Sequence, residues 1–179
     1  MREVPFVVYL KSLAEALDQA DDLAGERGNV LVGSALAALG KLKQRLRRCH
    51  ELVGDGRIHQ FCIRSGEREE FAFAKEHTQM QKFTFDGLEE TVAQLKADGT
   101  PVYFTIDLDC LDPAVFAGTG TPEAGGVSFV QLLAALRCVC TANVIGADVN
   151  ELAPMLDASG VSTATACKVL RELLLALHK

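Results

Sequence analysis

Short apolar runs alternate with stretches of helical periodicity from Arg57 onward, and this alternation limits the folds open to the chain. Strands are predicted at residues 57–64, 81–85, 101–106 and 144–149. Helices are predicted at residues 67–77, 88–97, 129–139 and in a final stretch from Ser162. Because strands that alternate with helices are joined by crossovers, the predicted fold is α/β, with a mainly parallel sheet between layers of helices.

Three polar patterns predict where helices begin. Asp86–Glu89 and Ser128–Gln131 have the spacing of a capping box, in which the first and fourth residues exchange hydrogen bonds with backbone N–H groups. Ser162 is predicted to cap the last helix, because a serine hydroxyl before an apolar helical stretch can accept from a free N–H group.

Residues 1–46 differ in character from the rest of the chain. They predict a strand at Phe6–Leu10 and two helical stretches, at residues 12–24 and about 35–52. The basic run Lys41–Arg48 could be an interaction patch, but a solvated helix face is preferred because only five charges are involved. The first 49 residues carry a net charge of +2, which leaves −8 for the remainder of a chain whose total is −6.

Composition excludes several classes of protein. A net charge of −6 argues against a nucleic-acid partner, whose phosphates require a basic surface. No apolar run is long enough for a membrane helix, so no membrane partner is expected. The six cysteines form no C-x-x-C pair and lie mostly in apolar surroundings, which predicts free thiols and a cytoplasmic location.

Two aspartates directly follow the strand that is predicted to end at Ile106. In an extended segment Asp107 and Asp109 would point to the same side, about 7 Å apart, and would repel each other without a cation between them. Hard divalent ions such as Mn²⁺ and Mg²⁺ prefer carboxylate oxygen. The pair is therefore either half of a metal site or a set of caps for the turn at Asp112–Pro113, and the spacing alone leaves both open.

Two further segments follow predicted strands. The loop at residues 117–126 has four glycines but lacks the lysine of a phosphate-binding loop, so a loop that lies over a site is the better interpretation. Asp148 and Asn150 share one face of the next strand. A carboxylate at that strand end could pair with a guanidinium or could cap a turn.

Several of these segments together resemble the ureohydrolase (arginase/agmatinase) family. T-I-D-L-D-C-L-D-P, A-G-T-G-T-P-E-A-G-G and A-D-V-N-E-L-A-P resemble its C-terminal half. R-R-C-H-E-L-V-G-D-G-R-I-H-Q-F-C-I-R-S-G-E-R-E-E-F and the tail S-G-V-S-T-A-T-A-C-K-V-L-R-E-L-L resemble the bacterial agmatinase branch. The resemblance divides the chain into an unmatched segment, residues 1–46, and an agmatinase-like portion, residues 47–179. It implies a three-layer arginase-like fold that is incomplete at its N-terminal side.

The resemblance implies a manganese-dependent hydrolase that splits the guanidino C–N bond of agmatine and releases putrescine and urea. Two Mn²⁺ ions would share a hydroxide. Asp107 would bridge the ions and Asp109 would bind one of them. Glu151 would accept hydrogen bonds from the small cationic guanidino substrate. Family members usually assemble as trimers or hexamers, so a homo-oligomer is expected.

The resemblance also assigns residues around that site. Thr121 and Glu123 would line it from the glycine-rich loop. Arg64, Ser65 and Glu67, after the first matching strand, would lie near the outer mouth, where the tail of the substrate is read.

The family's other metal ligands lie in G-G-[DE]-H and D-A-H-x-D motifs, and neither motif occurs in this sequence. Weak or no activity is therefore expected of this chain alone, and one hypothesis makes residues 1–46 the remnant of a truncation or frameshift. The alternatives are a non-catalytic assembly partner of a full-length relative or of a separate N-terminal chain, and a small-ligand module without Mn²⁺ dependence. The four histidines are expected to be surface or packing residues: His50, His59, His77 and His178.

Overall fold

The computed structural model describes residues 6–10, 47, 50–51 and 53–178, with only the backbone of residues 6–10. Its strands are β1 (Phe6–Leu10), β2 (Ile58–Ile63), β3 (Gln79–Lys82), β4 (Pro101–Asp107) and β5 (Asn143–Asn150). Its helices are α1 (Arg68–His77), α2 (Leu88–Ala97), α3 (Phe129–Val139) and α4 (Val161–Leu177), with short 3-10 helices at Leu108–Cys110 and Pro154–Leu156. The predicted helix at residues 12–24, and most of the one at 35–52, lie outside the described residues.

The five strands form one parallel sheet in the order β3-β2-β1-β4-β5. β1 lies in its centre, where Leu10 is in register with Phe61 of β2 and with Ile106 of β4. The predicted strand at Phe6–Leu10 and the predicted α/β fold are thus confirmed. The division of the chain at residue 46 and the origin of its first segment stay predictions.

The core lies between the sheet and helices α2, α3 and α4. Alternate residues of β4 point to opposite faces of the sheet. Val102, Phe104 and Ile106 are fully buried in an apolar cluster with side chains of these helices, among them Leu132 and Leu136 of α3. Burial of each such side chain contributes about 1.5–3 kcal/mol. This packing holds β4 rigidly, and the other face of β4 carries the polar residues Thr105 and Asp107.

The first residues of the helices show which local sequence patterns predict a helix cap correctly. Ser128 and Gln131 form the predicted capping box at the start of α3. The predicted box at Asp86–Glu89 is wrong, because α2 begins after Gly87, which has a left-handed φ of 82° and leaves no side-chain cap. Ser162 is not the cap of α4 either, because Gly160, with a φ of 74°, takes that position.

The third strand begins two residues earlier and ends three residues earlier than predicted. Residues 81–85 were expected to be extended, but β3 covers Gln79–Lys82. Phe83 adopts a φ of 61°, which ends the strand. None of the helices in the described part of the chain is long and apolar enough to span a lipid bilayer.

Candidate functional site

Asp107 and Asp109 lie at the carboxyl end of β4, where the chain turns sharply. The expectation of an extended segment is wrong, because the 3-10 helix Leu108–Cys110 begins directly after Asp107. Asp107 caps this helix: its Oδ1 accepts a hydrogen bond from the Asp109 N–H group at 2.8 Å. The two aspartates are only 1% and 4% exposed. A cap and a pair of buried carboxylates thus occur in the same turn.

Arg64 follows β2 and holds this turn from the far side of the central strand. Its Nη2 donates to the carbonyl oxygen of Asp109 at 2.6 Å, and its Nη1 donates to that of Cys110 at 3.0 Å. The side chain is 2% exposed. In this structure the guanidinium therefore fixes the backbone around Asp109, while its predicted contact with a substrate stays a prediction.

The glycine-rich loop brings two more predicted residues to the same place. Thr121 Oγ1 donates to Asp109 Oδ2 at 3.2 Å. Glu123 Oε2 accepts a hydrogen bond from Ser65 Oγ at 2.7 Å and lies 4.0 Å from Arg64 Nε. The ends of β2 and β4 and the loop thus gather the predicted site residues Asp107, Asp109, Arg64, Ser65, Thr121 and Glu123.

The loop is held over the turn by Asp112 and by the close approach of Gly126 to the backbone of the turn. Asp112 Oδ2 accepts from the N–H groups of Gly125 and Gly126 at 3.0 and 3.3 Å. Backbone N–H groups, first that of Ala114, lower the pKa of the Asp112 carboxyl. A Cβ atom added to Gly126 would lie 2.3 Å from backbone atoms of Leu111 and Asp112, so only glycine fits there.

The end of β5 contributes a third buried carboxylate, that of Asp148. Asp148 Oδ1 accepts hydrogen bonds from Thr105 Oγ1 at 2.7 Å and from Asn150 Nδ2 at 2.5 Å. The expectation that Asp148 and Asn150 share one face is confirmed by this contact. Burial raises the pKa of Asp148. These hydrogen bonds join the polar faces of β4 and β5 just before the turn that contains Asp109.

Glu151 follows β5 directly and is half-buried. Its φ of 72° is left-handed, a conformation that costs a residue with a side chain about 1–3 kcal/mol and is concentrated at functional sites. Two residues later, the Ala153 N–H group donates to the Gly118 carbonyl oxygen at 2.7 Å. The segment after β5 is therefore attached to the glycine-rich loop that lies over Asp109.

Two contacts at this edge were not found from the sequence. Ser162 Oγ accepts from the Gly118 N–H group at 2.8 Å, so α4 anchors the start of the loop. Arg64 bonds carbonyl groups 45 and 46 residues away. The sequence predicts Ser162 only as a helix cap. Nothing local in the sequence indicates that Ser162 binds the loop or that Arg64 binds the turn.

A group of His, Cys, Asp or Glu side chains that could share an ion occurs elsewhere among the described residues. It consists of His50, Asp55 and His77, whose ligand atoms lie within 4.8 Å of one another. Asp55 and His77 come just before β2 and β3, at the amino edge of the sheet, whereas Asp107 lies at the carboxyl edge. The sequence interpretation of these histidines as surface or packing residues missed their proximity.

Comparison with known proteins identifies the family and the fold of this chain. The sequence model of the arginase family matches residues 42–176. The chain belongs to the arginase family. The resemblance inferred from the strand-end motifs is thereby confirmed, and so is the arginase-like fold.

Agmatinases are among the arginase-family proteins that this chain resembles. It is 44% identical over 133 residues to the agmatinase of Bacillus anthracis, a match of 73% of this chain and 46% of that protein. The Bacillus subtilis agmatinase is 44% identical over 138 residues, with 75% and 47% covered. The chain spans about half the length of the curated relatives it matches.

Solved structures give the same result. A Clostridium difficile protein assigned as an agmatinase is 40% identical, with a TM-score of 0.72, and the match covers 95% of this chain and 58% of that one. Proclavaminate amidino hydrolase from Streptomyces clavuligerus is 25% identical, with a TM-score of 0.66, and the match covers 97% and 55%. This chain thus has the fold of enzymes that act on guanidino C–N bonds.

Proposed function

We propose that this chain supplies part of a ureohydrolase active site and that the reaction is hydrolysis of agmatine to putrescine and urea. The observation that carries the proposal is the buried Asp107–Asp109 turn, which Arg64 and Thr121 hold at the carboxyl edge of the sheet. The identity to agmatinases supports agmatine as the substrate. The chain alone is expected to be weakly active or inactive.

The two aspartates fit one side of a manganese site. Both are buried, and coordination of a metal ion is one of the ways in which proteins stabilise buried carboxylates. Their oxygen atoms are the ligands that Mn²⁺ prefers, although a complete site of two ions needs more donors than this pair offers. Bound divalent metal would lower the pKa of a water molecule so that hydroxide exists near neutral pH. Asp107 and Asp109 are the residues proposed to hold it.

The other site residues would bind and orient the substrate. Glu151 is proposed to accept hydrogen bonds from the guanidinium, because a carboxylate matches its paired N–H groups. Thr121 fixes the orientation of Asp109 through its hydroxyl group. Glu123 and Ser65, bonded to each other at 2.7 Å, are proposed to contact the tail of the substrate, with Arg64 behind them.

Urea release tests this function. The purified chain is incubated with agmatine and Mn²⁺, and Asp109→Asn is compared with Asp98→Asn, an exposed aspartate after α2. Any Mn²⁺-dependent urea release by the chain alone is expected to be slow, to be kept in Asp98→Asn and to be lost in Asp109→Asn. Equal release by both variants would contradict the role of Asp109.

A second candidate function is assembly with a full-length relative, with a separate N-terminal chain or with further copies as a trimer or hexamer. It is favoured by apolar side chains that are exposed in this structure: Ile145 on β5, at 60%, and Leu174 and Leu175 on α4, at 59% and 58%. Co-purification with a full-length agmatinase would support this function, and a monomer in sedimentation would count against it.

A cytoplasmic location is also proposed. The five described cysteines are free, and three of them are buried: Cys62, Cys110 and Cys140. Free thiols at such positions are typical of proteins from a reducing compartment.

A further inference from the structure

His50, Asp55 and His77 bring two imidazole rings and one carboxylate together at the amino edge of the sheet. His50 Nε2 lies 2.6 Å from Asp55 Oδ1, and His77 Nδ1 lies 2.7 Å from the same oxygen. The Asp55 side chain is 73% exposed, and the two histidine side chains are 22% and 30% exposed. An ion in solution can therefore reach all three donor atoms.

The backbone holds this cluster in place. The Gly54 N–H group donates to the His50 carbonyl oxygen at 2.7 Å, and Gly54 has a left-handed φ of 86°, so the backbone turns at Gly54, directly before Asp55. The Gly56 N–H group donates to the carbonyl oxygen of His77, the last residue of α1, at 3.1 Å. The turn and the end of α1 are thus joined beside the three side chains.

The two imidazole rings are also oriented by packing. Their centroids are 4.5 Å apart, and both rings contact Phe73 of α1, at centroid distances of 5.4 and 4.3 Å. The second ring nitrogen of His77, Nε2, lies 3.9 Å from the Glu76 carboxylate. A carboxylate beside the outer nitrogen of a ligating histidine is the usual support in metal sites.

We propose that His50, Asp55 and His77 form a binding site for a divalent transition-metal ion of the Zn²⁺ class, with water as the fourth ligand. Two imidazole nitrogens and one carboxylate oxygen are a typical donor set for Zn²⁺, whereas Mn²⁺ is better suited by sites in which carboxylate and water oxygens predominate. The bound ion links His50 and Asp55 to the end of α1, and so stabilises the amino edge of the sheet.

Only a small movement is needed to admit the ion. Tetrahedral ligands about 2.0–2.2 Å from Zn²⁺ are roughly 3.3–3.6 Å from one another. The two present N···O distances of 2.6 and 2.7 Å are those of hydrogen bonds, so the exposed Asp55 carboxylate must move outward by less than about 1 Å. The hydrogen bonds from His77 and His50 lower the pKa of Asp55 and keep it ionised, as a ligand must be.

Calorimetric titration with Zn²⁺ tests the site. Wild type is compared with His50→Gln, Asp55→Asn and His77→Gln, and the matched control is His178→Gln, an exposed histidine after α4. One equivalent of Zn²⁺ is expected to bind to wild type and control. Each of the three substitutions should lower the affinity for Zn²⁺ by more than the roughly 10–100-fold that is lost when a residue that only supports a metal ligand is replaced. Unchanged affinity in all three variants would overturn the proposal.

Two further measurements exclude other positions of the ion. Asp109→Asn must keep the Zn²⁺ equivalent, since a loss there would place the ion at the carboxyl edge of the sheet and overturn the proposal. Co²⁺, used as a spectroscopic probe, is expected to give visible bands without a sulfur charge-transfer band. A sulfur band that disappears in Cys167→Ser, at an exposed thiol, would assign the ion to a cysteine and likewise overturn it.

Folding of the variants is checked by circular dichroism. All three substituted side chains are at least partly exposed, so native spectra are expected. Zn²⁺ should raise the thermal midpoint of wild type and of His178→Gln, because it binds only the folded chain. If one cluster variant does not fold, the other two decide. If Zn²⁺ raised the thermal midpoint of those two variants as much as that of wild type, the proposal would also be contradicted. The proposal does not depend on the urea-releasing activity.

Discussion

Arg64 reaches from the end of β2 to the turn after β4, and its guanidinium is the support of Asp109. Arg64→Met keeps the apolar stem but leaves the buried carbonyl groups of Asp109 and Cys110 without these donors. We expect a loss of about 2–5 kcal/mol in the free energy of unfolding, measured by urea denaturation.

The control for that substitution is Arg68→Met, in the exposed first turn of α1, for which a change within about 0.5 kcal/mol is expected. Equal unfolding midpoints for the two variants would show that Arg64 does not support the turn. Recovery of most of the stability in Arg64→Lys would show that charge alone is sufficient, without the two-pronged geometry of the guanidinium.

Gly126 provides a second prediction at the scale of one residue. Its added Cβ would meet backbone atoms of Leu111 and Asp112 at 2.3 Å, so Gly126→Ala must displace the loop and weaken its bond to Asp112. A destabilisation of about 1–3 kcal/mol is expected in thermal or urea unfolding. Gly120→Ala is the matched control, because nothing lies within 4 Å of its added Cβ. A control that unfolds as readily as Gly126→Ala would refute the steric argument.

The start of α3 provides a prediction at the scale of an element. Ser128 Oγ accepts from the Gln131 N–H group at 3.3 Å, and Gln131 Oε1 accepts from the Ser128 N–H group at 2.9 Å. Ser128→Ala removes one of these bonds, and a loss of about 0.5–2 kcal/mol is expected in chemical denaturation. Gln94→Ala, on the exposed side of α2, should leave stability nearly unchanged or slightly raised, since alanine is the best helix former. A Ser128→Ala variant as stable as wild type would show that the cap is dispensable.

The predictable elements are those whose pattern is local. β4 is an apolar run bounded by Gly99 and the Asp107 turn, and α3 has both a capping box and a regular apolar face. The end of β3 was misplaced because the left-handed backbone of Phe83 has no signal in the sequence. The starts of α2 and α4 were misplaced because a glycine in left-handed conformation can precede a helix without any side-chain cap.

At the scale of the whole molecule, the predicted site residues meet because they follow strands of one parallel sheet. That argument locates Asp107, Asp109 and the glycine-rich loop, and the family resemblance adds their roles. It does not reveal that Arg64 crosses to the Asp109 turn, since such contacts depend on strand order, with β1 between β2 and β4. The His50–Asp55–His77 cluster was missed because the end of α1 packs beside Gly56 and so brings His77, 22 residues from Asp55 in the sequence, to the other two side chains.

The ion pairs that Glu172 forms within α4 and with α3 make the stability of the whole molecule depend on pH. Glu172 of α4 bonds Lys168 at 2.6 Å and Arg137 of α3 at 2.9 Å, and the pKa of its carboxyl is lowered below the ordinary value of 4.5 by the bond from Lys168 and then that from Arg137. Because the folded chain holds the proton less tightly than the unfolded chain, this stabilisation is complete above the ordinary pKa. It is lost as pH falls through the folded pKa.

Glu172→Gln should therefore be less stable than wild type at neutral pH, and the difference should shrink as the solution is acidified below pH 4.5, the ordinary glutamate value. Urea midpoints measured from neutral to acidic pH test this prediction. Glu90→Gln, at an exposed position in the first turn of α2, loses only the interaction with the helix dipole and should deviate from wild type by less than Glu172→Gln. A Glu172→Gln curve that stays parallel to wild type down to strongly acidic pH would mean that the contact between α3 and α4 stabilises through packing and not through the ionised carboxylate.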